Sequence, residues 1–110
     1  VRKFKDAFNG LREALRHKAV LVQFILMLIT LIVCFLLEFA INDLIIVLLC
    51  CCVVIAFEII NFAIEKLCDF ICEARNEKIK IIKDASAAAV LVASSFSLII
   101  GILILSKYWG

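Results

Sequence analysis

Three long apolar stretches, Val20 to Leu37, Leu44 to Ile64 and Ala85 to Leu105, set the terms on which this chain can fold. Each is close to the ~20 residues that an α-helix needs to cross the hydrocarbon core of a bilayer. The chain has 110 residues, is 66% hydrophobic, contains no proline and has a mean hydropathy of +1.18. A domain of this size buries only a modest share of its surface, so lipid must be the solvent for much of it. Alternating ten-residue segments separated by turns are lacking, which excludes a β-barrel. The expected fold is an all-α membrane protein made of one domain over residues 1–110. An interfacial helix over 1–18 precedes membrane spans over 20–37, 44–64 and 85–105.

The net charge is only +2, but the cations are gathered. Residues 1 to 18 hold six Lys and Arg, residues 65 to 84 hold five, and the connection from Glu38 to Asp43 holds none. The positive-inside rule then places the N-terminus and the second connection in the cytoplasm, and the Glu38 to Asp43 loop and the C-terminus outside. Lys107, Tyr108 and Trp109 are expected at the outer interface, where aromatic rings and snorkelling lysines collect. Phe4, Phe8, Leu11 and Leu15 recur at helical spacing among Arg2, Lys3, Lys5, Arg12 and Arg16, the pattern of an amphipathic helix lying on the cytoplasmic leaflet. A signal peptide fits less well, because the basic region is long and no small-x-small cleavage site follows.

Cys34, Cys50, Cys51 and Cys52 lie inside apolar runs, and Cys68 and Cys72 are four apart; neither set has metal-ligand spacing, so all six read as small buried or lipid-facing thiols. The single histidine, His17, has no nucleophile and acid at a recognisable spacing and reads as a solvated interfacial side chain. Small residues crowd the start of the third span, from Ala85 to Ser97, and allow close helix approach. Three helices are few to enclose a polar site, so a homo-oligomer is expected.

The informative polar feature is Glu58, Asn61, Glu65 and Asp69. At about 100° per residue these four fall within roughly 80° of helix circumference, along a line of about 16 Å. A carboxylate within a span costs on the order of 2.5–3.5 kcal/mol on insertion scales, so something must compensate it. Lys83 and Asp84 open the third span at the same level as Asp69. A lysine and several carboxylates converging near the headgroups match the way proteins hold Mg²⁺ together with substrate phosphates. The only glycines are Gly10, Gly101 and Gly110, so no Walker motif exists and a nucleotide would be held by side chains and metal.

At these residues the chain resembles the prokaryotic diacylglycerol kinase family, small membrane lipid kinases that include undecaprenol kinase. Glu58-Ile-Ile-Asn-Phe-Ala-Ile-Glu65 followed by Asp69 is similar to the family's E-x-x-N-[ST]-A-I-E-x-x-x-D signature. Ile82-Lys83-Asp84 with Ala87 to Leu91 is similar to its A-K-D-x-x-[SA]-A-A-V-L segment. The resemblance implies a homotrimer in the bacterial cytoplasmic membrane that moves the γ-phosphoryl group of ATP to diacylglycerol or undecaprenol, with no nucleic-acid partner. It makes Glu58 the general base, Asn61 a positioning residue and Glu65 a ligand for Mg²⁺ on ATP, while Asp69, Lys83 and Asp84 complete the nucleotide end. The chain departs from the pattern at three positions. Lys18 stands where the family usually has an acid, Phe62 replaces a small hydroxyl residue, and Phe24 replaces a polar one. Two other readings of the stripe are a small oligomeric transporter using Glu58 as an ion relay and a catalytically impaired structural relative of the kinases.

Overall fold

A computed structural model describes residues 2–72, 74 and 76–109; Arg75, one of the cations counted in the second connection, lies outside them. Four helices follow in order: α1 Arg2–Leu15, α2 Lys18–Leu36, α3 Ile41–Ile71 and α4 Glu77–Leu105. All but α1 are long and apolar enough to cross a membrane. With 31 and 29 residues, α3 and α4 would each extend beyond a hydrocarbon core of about 30 Å, because a helix rises about 1.5 Å per residue. Their extra turns carry the polar ends of both helices, including Asp69 and Lys83.

Helix α3 is the centre of the fold. It packs against α4, α2 and α1, whereas the backbones of α2 and α4 do not approach each other closely among the described residues. The face of α3 turned inward carries Val47, Val54, Glu58, Asn61 and Cys68, all buried. These follow one another at intervals of seven, four, three and seven, so the acid and amide lie on the same helical stripe as the buried apolar residues. Large apolar side chains elsewhere point outward: Phe35 and Phe70 are 82% and 88% exposed. Such surface is stable only against lipid or another protein.

The chain breaks between α1 and α2. Leu15 is the last residue of α1, and His17 precedes α2 with extended backbone angles, φ −78° and ψ 126°. Ala14 and Val20, 1% and 0% exposed, pack on either side of the break. At the far end of α2 the turn into α3 is closed by Glu38 in the left-handed region, φ 54°, and by the Phe39 amide donating to the Cys34 carbonyl at 3.0 Å. A residue in that region commonly ends a helix by satisfying its last carbonyls. The start of α4 is capped by Asn76, whose Oδ1 accepts from the amides of Lys78 at 2.9 Å and Ile79 at 3.3 Å. That cap fixes the helix that carries Lys83.

At the same end as the Glu38 turn, Cys34, Val47 and Ile104 form a buried cluster joined by Phe39 and Tyr108. The Phe39 and Tyr108 rings stack at 4.2 Å. Asp43, 7% exposed, accepts from Lys107 Nζ at 2.8 Å and from the Tyr108 hydroxyl at 2.6 Å, and the Ala40 amide donates to the Tyr108 oxygen at 2.8 Å. Lys107 and Tyr108 therefore bind the end of the chain to the start of α3. All six cysteines are free thiols, with Cys34 and Cys68 buried.

Candidate functional site

The polar stripe of α3 meets α4 on one side and the α1–α2 junction on the other. Glu58 and Asn61 are 7% and 8% exposed, Glu65 is half-buried and Asp69 is exposed. Burial therefore decreases along the stripe toward the end where charge is easily solvated. Gln23 of α2 is the polar neighbour of Glu58 from the side. The geometry brings this glutamine, one residue before Phe24, to the level of the buried acid.

Asn61 is the branch point of the network. Its Nδ2 faces Glu65 Oε1 at 3.5 Å, and its Oδ1 accepts from the Ser86 hydroxyl of α4 at 2.7 Å. The approach to Glu65 turns the amide nitrogen toward the carboxylate, which can only accept, and leaves the carbonyl oxygen to take the Ser86 hydroxyl. At the exposed end, Lys83 Nζ donates to Asp69 Oδ1 at 2.6 Å, joining α4 to α3 where the sequence placed both residues. Asp84, one position on, points around the helix and receives Lys80 Nζ at 2.7 Å on the exposed face. Of the six residues read from the sequence, Glu58, Asn61, Glu65, Asp69 and Lys83 thus share one line across the α3–α4 pair, and Asp84 lies beside it.

Besides Gln23, two neighbours were not read from the sequence. Ser86 sits among nine small residues near the start of the third span, and nothing in that pattern distinguishes it. His17 lies four residues beyond Glu13 in a charged segment, yet the chain break turns its ring to 5.3 Å from Phe62 and its Nε2 to 3.9 Å from Glu65 Oε2. Glu13 pairs instead with Arg16 at 3.8 Å on the surface, and Lys18 is exposed.

Among the described residues, no group of three or more His, Cys, Asp or Glu side chains is arranged to hold a metal ion. This donor set still fits Mg²⁺ that arrives with a nucleotide, because that ion keeps several waters, shares phosphate oxygens and takes only one or two protein carboxylates. Glu65 is half-buried between Asn61 and His17.

Three long apolar helices enclosing a line of acid, amide and lysine define a multi-pass helical membrane protein with a polar site inside the bundle. The chain matches the family model described as prokaryotic diacylglycerol kinase over residues 5–105. It belongs to that family, and membership supports a lipid kinase. Comparison with curated proteins and with solved structures returned no match.

Proposed function

We propose that the protein is a homotrimeric kinase of the bacterial cytoplasmic membrane that transfers the γ-phosphoryl group of ATP to a lipid alcohol, diacylglycerol or undecaprenol, with Mg²⁺. The observation that carries this reading is the shared line of Glu58, Asn61, Glu65 and Asp69, with Lys83 2.6 Å from its exposed end. Phosphoryl transfer asks a protein mainly to position two substrates and neutralise charge, and a line graded from buried to solvated does both. The lipid hydroxyl reaches the buried end and the nucleotide the exposed one. An apolar groove of about 570 Å³ between α2, α3 and α4, lined by Gln23, Met27, Val47 and Ser97 among others, leads from the level of Glu58 toward Phe39. It offers an acyl or polyprenyl chain a path along the bundle.

In this reading Glu58 accepts the proton of the lipid hydroxyl. The freed oxygen pair forms the bond to the γ-phosphorus while the bond to the β,γ-bridging oxygen breaks and ADP leaves. Asn61, held by Ser86, orients the groups between Glu58 and Glu65. Lys83 counters charge on the transferred group, and Asp69 and Asp84 hold the lysines of α4 at the nucleotide end. Mg²⁺, when bound at Glu65 with the phosphates, supplies further charge neutralisation. Helix α1, with Phe4 and Phe8 exposed, lies on the cytoplasmic leaflet, and the Glu38 turn and the C-terminus face outward.

The test is labelled ATP with purified protein and a panel of lipid alcohols, in Mg²⁺ and in EDTA. Lipid phosphorylation that depends on Mg²⁺ is expected. Glu58→Gln should lower it by about 10²–10⁴, the usual worth of a general base, while oligomers persist. Unchanged turnover in that variant removes Glu58 from the mechanism.

A further inference from the structure

His17 is the only histidine in the chain, and its position follows from backbone geometry. The extended angles at the α1–α2 break direct the ring onto α3, where it meets Phe62 at 5.3 Å. Nε2 then faces Glu65 Oε2 across 3.9 Å, with the two side chains 33% and 39% exposed. That separation is too long for a hydrogen bond. The other carboxylate oxygen of Glu65 is turned toward Asn61 Nδ2. Two donor atoms, one from the α1–α2 junction and one from α3, therefore look at each other across a gap that solutes can reach.

A gap of this size fits an ion. Zinc-class cations lie about 2.0–2.2 Å from imidazole nitrogen and carboxylate oxygen, and a tetrahedral arrangement of such bonds puts the two ligand atoms about 3.4 Å apart. Closing 3.9 Å to that value takes about half an ångström, within reach of a small side-chain rotation of the half-exposed Glu65. Mg²⁺ gains little from nitrogen, whereas imidazole suits transition metals.

We propose that His17 and Glu65 form a two-ligand site for a divalent transition cation, which competes with Mg²⁺ for Glu65. The remaining ligands are water or phosphate oxygens. The proposal rests on Glu65 being the metal end of the kinase site, and it makes metal choice a property of the α1–α2 junction. An ordinary ion pair between a protonated His17 and Glu65 is the competing account, and it differs in requiring only positive charge at position 17.

Because the chain has one histidine, its resonance needs no assignment. Protein labelled with ¹⁵N-histidine is titrated with Zn²⁺ in detergent micelles, without ATP or lipid. The Nε2 resonance should move to a metal-coordinated position at an affinity that Mg²⁺ does not reproduce. In Glu65→Gln the apparent Zn²⁺ affinity read at His17 should fall about tenfold or more. Zinc bound by the cysteines does not produce this signal. An Nε2 resonance indifferent to saturating Zn²⁺ overturns the proposal, as does a shift of unchanged affinity in Glu65→Gln. For the competing account, Zn²⁺ inhibition of Mg²⁺-dependent turnover is compared between wild type and His17→Lys. Loss of inhibition supports ligation; inhibition retained by the lysine overturns it. A protein without kinase activity that still shows the Nε2 shift would sink the kinase reading and leave this site standing, and an active kinase with a silent Nε2 would do the reverse.

Discussion

The bond between Ser86 and Asn61 is the part of the network whose energy can be worked out most directly. Ser86→Ala removes a donor 2.7 Å from Asn61 Oδ1, the ideal separation for O–H···O, and adds no bulk. Side-chain hydrogen bonds between membrane helices average about 0.6 kcal/mol and reach about 1.7. Asn61 is only 8% exposed, so water cannot easily replace the lost donor, and leaving a buried acceptor unpaired costs about 1–3 kcal/mol. The expected loss is therefore in the upper part of the membrane range, about 1–1.5 kcal/mol. Without Ser86 the Asn61 carbonyl loses its tie to α4, and its 3.5 Å approach to Glu65 is held from one side only. Lipid phosphorylation should fall about tenfold in kcat/KM, matching about 1.4 kcal/mol of lost positioning. The assay is a double-mutant cycle with Ser86→Ala and Asn61→Leu, each variant followed by denaturant-induced loss of helicity in micelles and by turnover. Ser86→Thr, which keeps the hydroxyl, should behave as wild type. Additivity within about 0.3–0.5 kcal/mol would mean that the two side chains do not interact, and the orientation assigned to Asn61 would fall with it.

Three further outcomes are expected. Lys83→Met should raise the KM for MgATP by about tenfold or more, the worth of a charge-assisted contact, and change the KM for lipid much less; equal effects would argue against phosphate contact. Asn76→Ala should destabilise the fold by about 1 kcal/mol through loss of the α4 cap, seen as a lower unfolding midpoint, and Asn76→Ser should restore it. The hydrogen bond from Lys107 to Asp43 raises the proton affinity of the lysine above its ordinary value. Its contribution to stability is thus fully present below the unfolded-state pKa of about 10.4 and is lost as pH climbs through the higher folded value. Unfolding midpoints measured across that alkaline window should decline in wild type and decline less in Lys107→Met; parallel curves would remove this pair from the stability of the fold.

Whatever depended on helical period and apolar length was legible in the sequence. The three spans are visible because lipid demands long apolar runs, and the register of Glu58, Asn61, Glu65 and Asp69 is visible because one helix carries all four. The pairing of Lys83 with Asp69 follows from two antiparallel helices meeting at a short connection. Contacts set by the placement of one helix against another were hidden. Ser86 reads like its alanine and serine neighbours until α4 is docked, and His17 reads as a solvated residue until the break at residue 17 turns it inward. Asp84 was grouped with Lys83 by adjacency, but neighbours on a helix diverge by about 100°, and its carboxylate went to Lys80. Lys107 and Tyr108 looked like interface anchors, and only the fold shows that both reach Asp43.

That last contact has a mechanical consequence. Lys83 is tied to Asp69 near one end of the α3–α4 pair, and Lys107 to Asp43 near the other. The two fastenings are about 36–39 Å apart along the helices, at 1.5 Å per residue. Ties at both ends set the register of α3 against α4, so the level at which Lys83 meets Asp69 is specified from the far end of the pair as well as from the site itself.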